Sequence, residues 1–508
     1  MKKKLNSASL NVITSFLGRV VALLGGLIVQ RYILLAFGST YNGLTSLINQ
    51  VLAYLVLLEA GIGTASVQAF YKPLSDENWD GVGSILKATD LSYRRSSLLL
   101  LAFLIGGALL IPLSATGEID YIIAVLMTML AGCTSFVTYR FSGKYTALLT
   151  AERKLYITQA ITIGMTLLST ALRVVCLQNG GSIVAVQAIH LGCTCLQAAL
   201  LTLYIKKKYP QLNKRFSPDF TAIKKRWNVL VHQLAGLVVN NTDILLLSFS
   251  GSLAYTSVYG VYNLIYGQLG TTAQSVLLHA PQGNFGRLYA KDKEAFLRTY
   301  NMFETACTVL LFFLASLAIL LTLPFIKLYT AGVTDVEYIN YWLPILFVVI
   351  FLFNQIRIPA LLTINISGSF RETQKGAIIE SVIKLCASSS LFFLTPLGMY
   401  GLLLGTVCSF LYRTVDVILF VYQKVLHKAL WKFVRLVVAN LACFAFLFYL
   451  FYVLFPITIS SYLGWVVAAV ILAFIALVSY FVFNLVFNFR ETVNALKHGR
   501  NKLRKRSR

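Results

Sequence analysis

The chain has 508 residues, 57% of them hydrophobic and only 12% charged, with a mean hydropathy of +0.74. Soluble domains carry about 25% charged residues, so this composition excludes an ordinary soluble enzyme and points to an integral membrane protein. Lys and Arg number 44 against 19 Asp and Glu, a formal charge of +25; the cations stand in short clusters between apolar runs, a pattern of membrane topology rather than of nucleic-acid binding.

The first residues, Met1-Lys2-Lys3-Lys4, lead into an apolar run with no small-residue cleavage site, and read as a retained cytoplasmic end. A helix needs about 20 apolar residues to cross the hydrocarbon core, and in lipid each crossing must satisfy its own backbone. Fourteen runs meet this demand, near 10–36, 41–66, 96–116, 119–147, 155–177, 183–205, 228–250, 253–281, 302–323, 341–364, 376–395, 398–422, 433–456 and 463–488. Alternate connections then carry the basic clusters, among them Lys206-Lys207-Lys208, Lys224-Lys225-Arg226 and the tail 489–508. The intervening connections hold Lys327 with the acids Glu118, Asp120, Asp335 and Glu337. The excess of cations on one side sets both termini in the cytoplasm. The longest inside connections, 71–95 and 206–227, have room for amphipathic surface helices at most.

An internal repeat organises these spans. The stretch 139–161 aligns without gaps on 356–378, which sets Arg140 on Arg357, Thr146 on Thr363 and Lys154 on Arg371. The stretch 57–63 resembles 277–283 at a similar offset of about 220 residues, or six spans. An even offset preserves orientation. The expected fold is therefore all-α and polytopic, with about 14 transmembrane helices in two six-helix lobes. The lobes would be related by a pseudo-two-fold axis along the membrane normal, with the substrate site between them near the midplane. The expected divisions are an N-terminal lobe 1–205, an inter-lobe linker 206–227, a C-terminal lobe 228–422, two further helices in 433–488, and a basic cytoplasmic tail 489–508.

Charges inside apolar spans are expensive and should face a cavity or a partner. The candidates are Arg19, Arg31, Glu59, Arg140, Lys144 and Arg173 in the first half, and Asp243, Arg357, Glu380, Lys384, Arg413 and Asp416 in the second. Eight cations against four acids imply an anionic guest, and arginine clamps phosphate with paired hydrogen bonds. Arg31, Arg19, Arg140, Arg357, Arg173, Lys384 and Arg413 are thus the candidate substrate-binding cations. A structural alternative stands beside this: Arg413 with Asp416, and Glu380 with Lys384, have the spacing of helical ion pairs, and Arg173 sits where it can snorkel outward. Glu59 and Asp243 are candidates either for coupling to Na+ or H+ or for pairing with an arginine. Tyrosines in spans 8 and 10 have the rings to stack on sugars.

Other chemistries lack their motifs. The sequence contains no GxxxxGK[ST] loop for ATP and no HExxH, and its five histidines are scattered, so no metal and no cofactor is expected. Gly61-Ile62-Gly63-Thr64-Ala65-Ser66 is only a partial GxGxxG in a membrane helix and reads as close packing or a flexible point. The eight cysteines lie in apolar runs and read as small packing residues.

Gln30-Arg31-Tyr32, Phe37-Gly38, Tyr41-Asn42-Gly43-Leu44, Leu58-Glu59-Ala60-Gly61-Ile62-Gly63 and Tyr71-Lys72-Pro73-Leu74-Ser75-Asp76 form a pattern that resembles the polysaccharide-transport flippases. These are lipid-linked oligosaccharide exporters of the multidrug/oligosaccharidyl-lipid/polysaccharide (MOP) superfamily. Two further blocks support the resemblance: Leu148-Leu149-Thr150-Ala151 with Lys154 and Tyr156, and Gly398-Met399-Tyr400-Gly401-Leu402-Leu403-Leu404-Gly405-Thr406 with Ser409. It spans roughly residues 10 to 430; Glu152-Arg153 stands where the family often has Asp-Gln. The resemblance implies a non-enzymatic transporter that moves a short oligosaccharide on a polyprenyl diphosphate by alternating access through a central cationic cavity. It implies Arg31 and Glu59 as site residues. The implied partners are the lipid-linked oligosaccharide, membrane lipids, a coupling Na+ or H+, and a polysaccharide polymerase with its glycosyltransferases. The competing class is a multidrug exporter of the same superfamily, which should have an acidic cavity.

Overall fold

A computed structural model describes residues 7–55, 61–110, 118–214, 216–220, 227–249 and 252–487. Every regular element among them is helical. The chain divides into two compact units: residues 1–260 with 332–336, and 261–331 with 337–508. Eleven helices of the described residues are long and apolar enough to cross a membrane, which makes this a multi-pass membrane protein.

The first unit begins with α1 (Ser7–Leu55), which contains the first expected span, 10–36, and the greater part of the second, 41–66. They are separated at Gly38, whose φ of 78° and ψ of −177° lie in a region open essentially to glycine alone. The chain resumes its helix at once because the Asp335 carboxylate caps it. Asp335 Oδ2 accepts from the Ser39 N–H at 2.6 Å and Oδ1 from the Ser39 hydroxyl at 2.7 Å. That carboxylate answers one of the backbone N–H groups which a helix start leaves without an intrahelical partner. α2 (Ile62–Ser75) and α3 (Trp79–Leu110) follow, so most of the connection expected at 71–95 is helix continuous with the spans. α4 (Tyr121–Val137) starts where Asp120 accepts from the N–H groups of Ile122 and Ile123. A π-helical turn, Thr138–Ser142, joins it to α5 (Gly143–Ala151). α6 (Leu155–Gln178) and α7 (Ile183–Lys208) complete a bundle whose core includes Val29, Ile33, Leu47, Met127 and Val186. α7 ends on three lysines, which suit the negative end of the helix dipole. Expected spans 7 and 8 are α8 (Trp227–Phe249) and α9 (Leu253–Ala273); neither is among the eleven, and α9 carries Asn263, Gln268 and threonines among its apolar residues.

In the second unit α9 ends in a π segment, Gln274–His279, followed by α10 (Gln282–Lys291). α11 (Lys293–Tyr329), capped by Asp292, has 37 residues. At 1.5 Å per residue such a helix is roughly 55 Å long, well beyond a 30 Å hydrocarbon core. α12 (Trp342–Ile356) breaks at Arg357 because Pro359, at the start of α13 (Ile358–Ser367), has no N–H for the Gln355 carbonyl. α14 (Phe370–Phe393) and α15 (Met399–Phe420) pack closely: a side chain at Gly401 would strike the Leu391 backbone and one at Gly405 the Ser388 backbone. A π segment, Val421–Leu426, leads to α16 (Trp431–Phe448) and α17 (Tyr462–Phe487).

The helix breaks recur with the sequence repeat. Gly61, left-handed at φ 81°, opens α2, and at the matching place in the second half Pro281 opens α10. Arg140 lies in the π turn between α4 and α5, and the aligned Arg357 at the junction of α12 and α13. Both irregularities set a cation at a break in the helix, where the backbone hydrogen bonds leave the regular ladder.

Candidate functional site

Two clusters of charge are built inside the helical units. In the first unit Asp90 of α3 lies between two cations. Its Oδ1 is 3.0 Å from Arg140 Nη1 and 2.7 Å from Lys144 Nζ. The π turn adds a residue to the helical repeat between α4 and α5. Gly143 lets the Tyr93 ring of α3 come against the α5 backbone, since a Cβ there would lie 2.8 Å from the ring. That close approach sets Asp90 beside the break. Arg140 also covers the Phe141 ring at 5.3 Å and Lys144 the Tyr145 ring at 4.8 Å. One carboxylate serves two cations, and both cation side chains keep about a fifth of their surface open.

The second cluster lies in the second unit. Glu380 of α14 bridges two arginines: Oε1 is 2.9 Å from Arg357 Nη1, and Oε2 is 3.5 Å from Arg413 Nε. Arg413 Nη1 is 2.6 Å from Asp416 Oδ2, one turn along α15. Arg357 also donates to both oxygens of Asn354 and lies 5.2 Å from the centre of the Phe410 ring. Lys384 is fully buried one turn from Glu380 and donates to the Thr406 hydroxyl. Gly376 is part of this arrangement, because a side chain there would run into Asp416 and the Arg413 guanidinium. Counting Lys384, three cations stand against two carboxylates, so the surplus of one equals that of the first cluster; the difference is that Arg357, Arg413 and Lys384 are closed off while Arg140 and Lys144 are partly open.

The remaining predicted residues are dispersed. Arg19 is exposed and Arg31 half-buried, both on the part of α1 before Gly38. Arg173 is on α6 with its Nε buried and no hydrogen-bond partner at that atom. Asp243 of α8 is buried and accepts from the Tyr259 hydroxyl at 2.9 Å. Glu59 falls outside the described residues. Among the described residues no three His, Cys, Asp or Glu side chains gather as a metal site, and all eight cysteines are free thiols.

Some expected roles change. Tyr262 and Tyr266 do not present their rings to a guest. They stack on Phe347 at 5.8 and 5.4 Å, and their hydroxyls reach the Tyr338 carbonyl and the Thr322 hydroxyl. The motif Tyr41-Asn42-Gly43-Leu44 packs α1 on the start of α9. A Cβ on Gly43 would overlap the Leu253 carbonyl, the Asn42 amide donates to the Ser257 hydroxyl at 2.6 Å, and Leu44 is wholly buried. In the third block, Thr406 receives Lys384 and the Ser409 hydroxyl donates to the Glu380 carbonyl at 2.9 Å.

Sequence reasoning missed two acids. Asp90 was placed in a connection, because the polar start of α3 hides that the helix begins at Trp79. Glu304 of α11 is buried and accepts from the hydroxyls of Tyr300 at 2.9 Å and Tyr422 at 2.7 Å. Its signal was available: an acid just inside a long apolar run, four residues after a tyrosine.

Outside the spans, Glu152, Lys154 and Tyr209 form a clamp where α5 gives way to α6. Lys154 donates to Glu152 and, at 3.0 Å, to the Tyr209 hydroxyl. Burial pulls the ammonium pKa down, but the bonds to Glu152 and Tyr209 outweigh it and leave it above the ordinary lysine range. Burial and Glu152 together push the Tyr209 phenol up.

No family model and no curated protein sequence matches the chain. Solved structures do. The lipid II flippase MurJ in an inward closed conformation superposes with a TM-score of 0.69 at 16% identity, over 95% of this chain and 99% of that one. A multidrug resistance MATE family transporter of the MOP superfamily, inward-facing, gives 0.57 at 14% identity over 78% and 93%. The outward-facing conformation of such a transporter gives 0.54 at 14% over 82% and 95%. The chain shares the fold of these proteins. The MOP structures it resembles are flippases and transporters, not enzymes. At these identities the likeness is one of architecture, and the sites must be argued from this chain's own residues.

Proposed function

We propose that this protein flips polyprenyl-diphosphate-linked oligosaccharides across the cytoplasmic membrane for surface polysaccharide assembly, with both ends in the cytoplasm. The observation that carries the reading is the single Asp90 carboxylate shared by Arg140 and Lys144, both partly open. A charge surplus in a low-dielectric setting is stabilised by an anion, and a diphosphate offers the oxygens that a guanidinium and an ammonium take up. The polyprenyl tail stays in lipid while the polar head crosses by alternating access. The sequence resemblance to polysaccharide flippases supports the substrate class, and the fold likeness to a lipid flippase supports the mode of action. Buried Asp243, held by Tyr259, is the proposed site of Na+ or H+ coupling among the described residues.

The test is mass spectrometry of lipid-linked intermediates in a deletion strain, with the lipid-linked repeat unit accumulating on the inner leaflet. Complementation by Arg140→Ala with Lys144→Ala should fail while the protein still inserts, and Arg140→Lys should restore part of the activity. Unchanged precursors and surface polysaccharide would refute the reading. Altered drug susceptibility with unchanged precursors would favour the multidrug exporter, although a basic site is poorly suited to cationic drugs.

A further inference from the structure

The second unit has two hollows that no transport step above uses, and they meet at one residue. The first, of about 260 Å³, lies where the N-terminal part of α11 faces the start of α16 and is lined by Asn301, Glu304, Lys428, Lys432 and Arg435. The second, of about 630 Å³, runs between α11 and α17 past Ala306, Val309, Phe313, Leu477 and Phe481 and is almost wholly apolar. Thr305 lines both. From α11's point of view the surface changes within one turn, from Asn301 and Glu304 to Ala306 and Val309.

The charge at the polar end is asymmetric. Three cations stand round the hollow against one carboxylate, and that carboxylate already accepts two tyrosine hydroxyls. Lys428 is held in place by the Asn301 side chain at 2.8 Å and the Leu297 carbonyl. Burial lowers its pKa, Glu304 raises it, and Lys432 lowers it further, for a net downward shift. Lys432 and Arg435 are exposed on the same turn of α16 as Trp431, a residue 71% exposed. An exposed tryptophan beside lysine and arginine at a helix end is the signature of the headgroup layer. The apolar hollow opens along α17, where Val470, Phe474 and Leu477 are more than half exposed and face hydrocarbon. A basic pocket at headgroup depth that continues into an apolar groove matches one kind of molecule in a bilayer.

We propose that this hollow is a binding site for an anionic phospholipid of the bilayer, with the phosphate among Lys428, Lys432 and Arg435 and an acyl chain along the groove between α11 and α17. Its position at the Lys- and Trp-bearing end of α16 assigns it to the leaflet on the cytoplasmic side. The site is separate from the Asp90 and Glu380 clusters and does not depend on which lipid is transported. It pins α16 and α17 to α11, where Tyr480 already bonds Ser316 at 2.8 Å and Asn484 donates to Asn440 at 3.0 Å. Glu304, beneath the phosphate and covered by Tyr300 and Tyr422, disfavours a second negative charge deeper in the pocket and so keeps the phosphate at the rim.

Native mass spectrometry of the full chain released from detergent micelles tests this with three probes: phosphatidylglycerol, phosphatidylethanolamine and sn-glycerol 3-phosphate. Phosphatidylglycerol should bind in preference to phosphatidylethanolamine. Each basic side chain near the headgroup layer contributes roughly fivefold, so Lys428→Ala, Lys432→Ala and Arg435→Ala together should weaken binding about a hundredfold. The charge-preserving set Lys428→Arg, Lys432→Arg and Arg435→Lys should bind within about threefold of the wild type, which separates lost charge from lost folding. Ala306→Trp, which fills the groove and leaves every cation in place, should also weaken phosphatidylglycerol binding. Equal binding of the two phospholipids, or undiminished binding in the triple alanine variant, overturns the proposal. So does displacement of phosphatidylglycerol by an equal concentration of glycerol phosphate, because the groove then contributes nothing.

Discussion

Replacing Glu380 by glutamine should be the most damaging isosteric change in the second unit. The carboxylate faces Arg357 at 2.9 Å and Arg413 at 3.5 Å, and all three side chains are about nine-tenths buried. At an effective dielectric near 20, the two contacts are worth about 6 and 5 kcal/mol of Coulomb energy. Desolvation of three ions consumes most of that gain, so the intact cluster adds little net stability. Removing the one shared anion is different, because it leaves two guanidinium groups in a buried space with only Asp416, itself a third exposed, to offset them. Breaking a buried pair in this way destabilises by about 3–5 kcal/mol. For a unit of some 240 residues, at roughly 2–4 °C per kcal/mol, the melting temperature should fall by roughly 6–20 °C. The assay is thermal unfolding in detergent followed by a thiol-reactive dye, which reports exposure of buried Cys193, Cys307 and Cys443. Arg413→Gln should fall less, because Glu380 keeps Arg357, and the Glu380→Gln, Arg413→Gln double variant should recover part of the loss. A melting temperature within about 2 °C of the wild type for Glu380→Gln would refute the account of a shared buried anion.

Gly38→Ala should lose about 1–3 kcal/mol, since alanine cannot adopt φ 78° with ψ −177° without strain and its Cβ would press on Asp335 Oδ2 at 2.7 Å. Gly26→Ala, mid-helix with open space around it, should be neutral or stabilising by about 0.5–1 kcal/mol in the same unfolding assay. Gly43→Val should prevent α1 from seating against the Leu253 carbonyl and show as loss of folded protein in size-exclusion chromatography. Lys154→Met should reduce stability by under about 1 kcal/mol at neutral pH, as befits a partly exposed clamp. Because the folded-state pKa of Lys154 is raised, the clamp's contribution is complete below the ordinary lysine value of about 10.4 and fades as pH climbs toward the raised one. The wild-type and Lys154→Met melting curves should therefore differ by a constant amount from pH 6 to about 9. A gap that closes within that range would contradict the geometry.

Helical class and membrane residence were legible from residue order. Runs such as 302–323 and 463–488 are too long and apolar for anything but a crossing, and that follows from backbone satisfaction in lipid alone. The repeat aligned Arg140 with Arg357, but 119–147 and 341–364 read as unbroken spans, and only the structure shows the π turn and the helix junction at those two arginines. The charge partners were less legible. Asp90 looked like part of a connection, since a helix that projects beyond the membrane has a polar sequence and so resembles a loop. Glu304 was passed over although it stands inside the apolar run of α11.

Local chemistry therefore determined what each segment is, because hydropathy and backbone constraints act over a few residues. Which carboxylate meets which cation was decided only by tertiary packing. Asp90 and Arg140 are 50 residues apart, and Arg357 and Glu380 are 23 apart on different helices. The glycines at 143 and 376 control those meetings through close approach between helices. The same packing makes the motif at Tyr41–Leu44, which carried part of the family resemblance, a contact surface against Leu253 and Ser257. An ion pair across helices has no period along the chain, and only the three-dimensional arrangement says whether a buried charge is already answered or still open to a guest.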